Sequence, residues 1–187
     1  QGALALSGTT VPSNGAAATI SSTAAGPFAL SNLDTFDLTI DAVGPVTPAI
    51  VADASISTSV NVDPYALVDG DTLSFKVNGG PLQTATFNTA DFVDIAAATA
   101  EEVAVVINTD ITGISATGTT NVIITTDQKG TGATLTDFVF AGTGASPPNM
   151  PTGTHALTNN VADVDAVTNT ELAALIQAAL TACASDG

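Results

Sequence analysis

The sequence predicts a mainly β chain of α+β class, made of two related strand-strand-helix-strand-strand modules, one inserted into the other, with β-strand complementation between subunits. Three observations carry that expectation. Two stretches, DTFDLTID at 34–41 and DTLSFKVN at 71–78, alternate apolar and polar residues at the period of a half-buried strand. Two others, TAEEVAVVINTDI at 99–111 and TNTELAALIQAAL at 168–180, open with the same helix-start signal. The palette is that of small-residue β structure: of 187 residues 45% are hydrophobic but only 4% aromatic, so the core has to be built from Ala, Val, Ile and Leu beside abundant Thr and Ser.

Residues 1–27 are rich in Gly, Ala, Ser and Thr, with one β-like patch, AAATISST at 16–23, as donor-strand candidate. Alone, such a segment buries too little surface to order itself, so the rest of the fold has to hold it. In the first alternating stretch Phe36, Leu38 and Ile40 share one face, and Gly44 and Pro45 are expected to turn the chain into VTPAIVAD. DTLSFKVN repeats the arrangement with Leu73, Phe75 and Val77, after which Asn78, Gly79, Gly80 and Pro81 make the turn and LQTATF returns. A helix follows: Thr99 caps it, Glu102 reaches back to the cap's own amide, and Val103, Val106 and Ile107 fall on one face. Beyond Gly113, ISAT and NVIITT predict a hairpin around Gly118 that ends at the QKGTG loop. FVFAG at 138–142 is predicted to be a strand returning the chain to the split module, and PP at 147–148 marks a linker.

The late helix repeats the early one residue type by residue type. Thr168 and Glu171 supply the box, Leu172, Leu175 and Ile176 stand for Val103, Val106 and Ile107, and LTACASDG against ITGISATG predicts one further strand over 181–185. The first hairpin lacks a following helix and the late helix lacks a preceding hairpin, so the two are expected to form one module. The division that results is an N-terminal segment 1–27, a split module of 28–60 plus 161–187, an inserted module 61–142 and a linker 143–160. The split module's last strand would come from 16–23. Folded onto its own chain, that strand closes a monomer; donated to a neighbour, it makes head-to-tail rings or filaments. Sequence leaves both open.

Charge excludes some partners. Eighteen acidic residues face two lysines, Lys76 and Lys129, for a formal net charge of -16. With so few cations to displace counterions, no nucleic-acid backbone is an expected partner, and an anionic membrane surface is disfavoured. No apolar run long enough to span a bilayer occurs. Gln1 as first residue, without an initiator Met or signal-like segment, is read as a processed, exported chain. Cys183 is the only cysteine, so no intrachain disulfide is expected.

Chemistry finds little purchase. Nucleophilic catalysis would have to use His155, the only histidine, in GTHALTNN, and no G-x-S-x-G elbow accompanies it. Calcium is the one cofactor considered: Asp69 and Asp71 flank Gly70 in VDGDT, and Asp34 and Asp37 lie close in the first hairpin, but no EF-hand-like loop is present. These aspartates are expected to cap turns at strand starts. One tyrosine, Tyr65, and no Trp offer little for stacking sugars. No catalytic, cofactor-binding or metal residue is therefore assigned.

The run from Gly70 to Gly132, GDTLSFKVNGGPLQTATFNTADFVDIAAATAEEVAVVINTDITGISATGTTNVIITTDQKGTG, resembles the Ala- and Thr-rich repeat modules of phage virion and bacterial surface proteins. It is also similar to the IN motif of flagellar hook-associated proteins, with Ile107 and Asn108 at the end of the short helix. What the resemblance implies is a structural, non-enzymatic role in an extracellular appendage or a virion. The expected function is a subunit that polymerises with copies of itself into an extracellular or cell-surface filament; the alternatives are a phage tail or capsid-decoration protein and a monomeric adhesin module.

Overall fold

The computed structural model describes residues 6–8, 20–22, 26–35, 38–40, 43–46 and 49–185. Where the sequence alternates or runs in short Val/Ile/Thr stretches the chain extends: β1 (Leu6–Gly8), β2 (Ile20–Ser22), β3 (Leu38–Ile40), β4 (Val43–Val46), β5 (Ala54–Thr58), β6 (Asp71–Val77), β7 (Leu82–Phe87). After the capping box comes α1 (Ala100–Asp110), then β8 (Ile114–Gly118), β9 (Val122–Lys129), β10 (Leu135–Ala141) and α2 (Asn169–Ser185). The fold is mainly β with two helices, and its two larger sheets are antiparallel with three strands each, in the orders β10-β6-β7 and β5-β9-β8.

β6 buries every second residue, so Leu73, Phe75 and Val77 enter the core while Ser74 and Lys76 stay at the surface side. The turn to β7 works because Asn78 and Gly79 take φ of 53° and 67°, a region open to Asn and Gly at little cost. α1 is held at its start by Thr99 and Glu102 and buries Ala100, Val103, Ala104, Val106 and Ile107 against β7, β8 and β9. Phe75 and Phe138 stack at 4.7 Å in the same core, which Tyr65, Phe87 and Ile124 complete. Each fully buried side chain of this size contributes about 1.5–3 kcal/mol. The predicted order strand, strand, helix, strand, strand over 71–126 is what the chain adopts. Gly118 closes the β8–β9 turn so tightly over the start of α1 that a Cβ there would collide with the Ala100 carbonyl.

Three neighbours differ from expectation. β10 does not leave for the other module; it pairs along the open edge of β6, with Leu135 opposite Val77 and Ala141 opposite Thr72. β5, which the sequence division places in 28–60, pairs with β9 on the side away from β8. The 143–160 stretch is a strap stitched to this body: Ser146 bridges Ala66, His155 bridges Leu135, and the Val60 N–H donates to the Asn149 carbonyl at 2.7 Å.

The remaining part is smaller. β3 and β4 form a two-stranded sheet, Leu38 opposite Val46 and Ile40 opposite Val43, extended by a bridge between Thr35 and Ala49. Gly44 and Pro45 therefore lie inside β4 rather than at the turn; a two-stranded ribbon has outer edges where a proline's missing N–H costs no ladder bond. Ile50, Ala52, Val161, Val164 and Val167 make a second cluster, with Leu30 and Leu175 packed against it. The predicted strand over 181–185 is instead the last part of α2. After α1 the chain is already extended at Ile111, at φ -117° and ψ 134°, and Gly113 at φ 80° then turns it into β8, whereas the matching positions Leu180 to Ala182 stay helical in α2. Of the donor candidate 16–23, residues 20–22 form β2, which pairs antiparallel with β1; the rest of it lies outside the described residues.

Candidate functional site

Two stretches of chain build the same latch twice. In the first, Asp94 accepts from the Ala96 N–H at 3.0 Å and starts a 3-10 turn at Ile95–Ala97; Ala98 then exchanges both backbone hydrogen bonds with Tyr65, and Leu67 donates to the Ile95 carbonyl. In the second, Asp163 accepts from Asp165 at 3.0 Å and starts the turn Val164–Ala166; Val167 exchanges both bonds with Phe28, and Leu30 donates to the Val164 carbonyl. Glu102 accepts from the Thr99 and Val93 N–H groups and the Thr99 hydroxyl; Glu171 accepts from the Thr168 and Ala162 N–H groups and the Thr168 hydroxyl.

The correspondence continues upstream. Asp71 accepts from the Val68 N–H as Asp34 accepts from the Ser31 N–H. Gly70 donates to the Phe87 carbonyl as Leu33 donates to that of Ile50, and both take positive φ, 85° and 69°. Asp69 holds the Thr89 N–H as Asn32 holds that of Ala52. The sequence signals are P-[FY]-A-L-x-x-x-D-T at 27–35 and 64–72, and D-[IV]-x-A-x-T-x-x-E at 94–102 and 163–171. Segments 26–52 and 161–179 thus meet as parts of one frame with the backbone pattern of the frame around α1.

Electrostatics follow from this geometry. The Thr99 and Val93 N–H groups, aided by the Thr99 hydroxyl, hold the Glu102 carboxyl below its ordinary range. The Thr168 hydroxyl and the Ala162 and Thr168 N–H groups do the same for Glu171, and the Thr89 N–H and hydroxyl for Asp69. Each helix start thereby carries a fixed negative charge, the favourable sign there.

Among the described residues the frames differ in what covers the helix. Over α1 lie β8 and β9, and Ile107 is 0% exposed with Val106 at 6%. On α2, whose described strand neighbour is β4, Leu172 is buried, but Leu175 and Ile176, at the positions of Val106 and Ile107, are only half-buried.

The residues singled out for chemistry are spent on architecture. Asp71, 3% exposed, receives the N–H groups of Val68, Thr143 and Gly144 at 2.9–3.1 Å. Asp34 closes its turn on Ser31; Asp37 lies outside the described residues. Among the described residues no three His, Cys, Asp or Glu side chains converge as a cation site. His155 packs edge-on against Phe138 with Nε2 3.1 Å from the Pro151 carbonyl. Tyr65 is buried, its hydroxyl within hydrogen-bond distance of Ser59 Oγ and the Asn61 carbonyl. Cys183 falls within α2. A cleft of about 190 Å³ beside α1, lined by Thr86, Asn88, Asp91, Val105 and Asp110, is smaller than an ordinary ligand pocket. Its carboxylates already accept from the Thr86 and Asn88 N–H groups. No helix among the described residues is long and apolar enough to cross a membrane. The chain matches no protein-family model, no curated protein and no solved structure.

Proposed function

We propose that the chain is a non-enzymatic structural subunit that assembles head to tail with copies of itself into an extracellular filament or surface fibre. The observation that supports this most is the unequal cover of two like frames: α1 is closed by a β hairpin, and α2 presents Leu175 and Ile176 half-buried at the corresponding positions. A frame closed by a strand from a neighbour is a heterologous contact, and repeated heterologous contacts give open polymers. The use of carboxylates as backbone caps suits a scaffold, since a carboxylate that already receives two or three N–H groups has little capacity left for a substrate or cation. Self-repulsion from a net charge of -16 keeps isolated subunits soluble and makes assembly depend on screening. Negative-stain imaging of the full chain, with and without residues 1–27, tests the reading. Filaments that disappear with the deletion support strand donation; single particles at every concentration count against polymerisation.

A further inference from the structure

From the self-assembly reading, on which this step rests, we infer that Gln177 is the group by which α2 takes an extended strand of a second copy, its side-chain carboxamide holding that strand's backbone. The complete frame shows what such a group does. β8 is an outer strand of its sheet, with β9 on one side. Its middle residue, Ala116, is held by Asn108 in the last turn of α1: Asn108 Oδ1 accepts from the Ala116 N–H at 2.7 Å, and Asn108 Nδ2 donates to the Ala116 carbonyl at 2.8 Å. A carboxamide carries one acceptor oxygen and two N–H donors, so it matches the N–H and C=O that one residue of a strand offers along its edge.

The same place on α2 belongs to Gln177. Val106-Ile107-Asn108 and Leu175-Ile176-Gln177 stand at equal distances beyond their capping residues, Thr99 and Thr168. Glutamine in place of asparagine keeps the donor and acceptor set and lengthens the reach by one methylene. A glutamine of this chain already binds backbone in that way: Gln83 Oε1 accepts from the Thr112 N–H at 2.9 Å, and Gln83 Nε2 donates to the Thr112 carbonyl at 3.1 Å. Gln177 itself is exposed, and among the described residues no group bonds its carboxamide.

In the complete frame the strand that Asn108 holds is the segment following α1, but the residues after Gln177 continue α2 as helix to Ser185. The strand for Gln177 is therefore not the next segment of its own chain. From Leu172 to Ser185 α2 carries no charged residue, so in a chain of net charge -16 this helix length lets a second copy approach without setting carboxylate against carboxylate. The occupant is then an extended segment of a neighbouring subunit that lies over Leu175 and Ile176, with the N–H and C=O of one residue paired to Gln177.

Full chains carrying Gln177→Ala or Gln177→Asn are compared with the parent by sedimentation velocity over a concentration series. Loss of both hydrogen bonds predicts that Gln177→Ala raises the concentration needed for assembly about tenfold while the thermal melt of the monomer stays unchanged, and that Gln177→Asn recovers part of the loss. An unchanged threshold in Gln177→Ala overturns the assignment and leaves self-assembly standing. A parent chain that stays monomeric throughout overturns self-assembly, and the assignment with it. Placement is read separately with Gln177→Cys in a Cys183→Ser chain, modified with a benzophenone maleimide, mixed into assemblies of isotope-labelled parent chain and analysed by mass spectrometry after irradiation. Crosslinks from the modified chain to labelled copies support the placement; crosslinks confined to the modified chain, or none, overturn it.

Discussion

Ile107 and Ile176 occupy the same position in two like frames and are covered to different extents, so truncating each measures the cover directly. Ile→Ala removes three carbon groups at about 0.8 kcal/mol each, roughly 2.4 kcal/mol of transfer free energy. At Ile107, 0% exposed and walled by β7, β8 and β9, the vacated space cannot collapse fully, and a cavity term brings the expected loss to about 4 kcal/mol. At Ile176, half-buried, about half of the transfer term applies and solvent fills the space, so Ile176→Ala should cost the monomer about 1 kcal/mol. Urea unfolding followed by far-UV circular dichroism measures both, and the emission of Tyr65, buried in the α1 core, reports that frame separately. Equal losses at the two sites in the monomer would refute the reasoning. Under assembling conditions the proposed closure of this frame by a neighbour's strand should raise the cost at Ile176 toward that at Ile107.

Other consequences can be checked singly. Glu102→Gln should cost about 1 kcal/mol at neutral pH, read by thermal melting, because a neutral amide holds the cap more weakly. Glu102 and Glu171 are held below their ordinary range in the fold, so the stability they lend is full above the unfolded value of about 4.3 and drains away as pH falls through the folded one; acid melts of the Gln variants should have a shallower slope below about pH 4. Gly118→Ala drives a Cβ into the Ala100 carbonyl and should destabilise by about 2–4 kcal/mol in urea. Asp71→Asn turns an N–H₂ toward one of three donated amides and should cost about 2–3 kcal/mol by the same assay. Raising sodium chloride from about 0.01 M to 0.5 M should speed assembly followed by light scattering, because it screens like charge between subunits.

Periodicity and capping chemistry made much of the fold readable. The β6–β7 hairpin follows from strict alternation and an Asn-Gly turn, and α1 from the reciprocal contact of Thr99 with Glu102. What escaped were features with no period. P-[FY]-A-L is an extended segment whose neighbours are distant backbone groups, as when Phe28 pairs with Val167, so its meaning resides in contacts rather than in spacing. Aspartates at 94 and 163 form local turns that look like ordinary loop polarity until two copies are compared. The predicted strand at 181–185 failed because matching residue types carried the comparison past the helix end: α1 stops at Asp110 and α2 runs on to Ser185. The capping reading of Asp34 and Asp71 follows from short carboxylates beside turn amides, a local interaction that sequence encodes well, whereas Asp69 holds Thr89, a partner twenty residues away that no local pattern announces.

Sedimentation velocity of the full chain across a concentration series in about 0.15 M salt tests head-to-tail assembly most directly. Heterologous contacts predict an open-ended series of species whose mean size grows with concentration. A single species of 18.3 kDa at every concentration would contradict it.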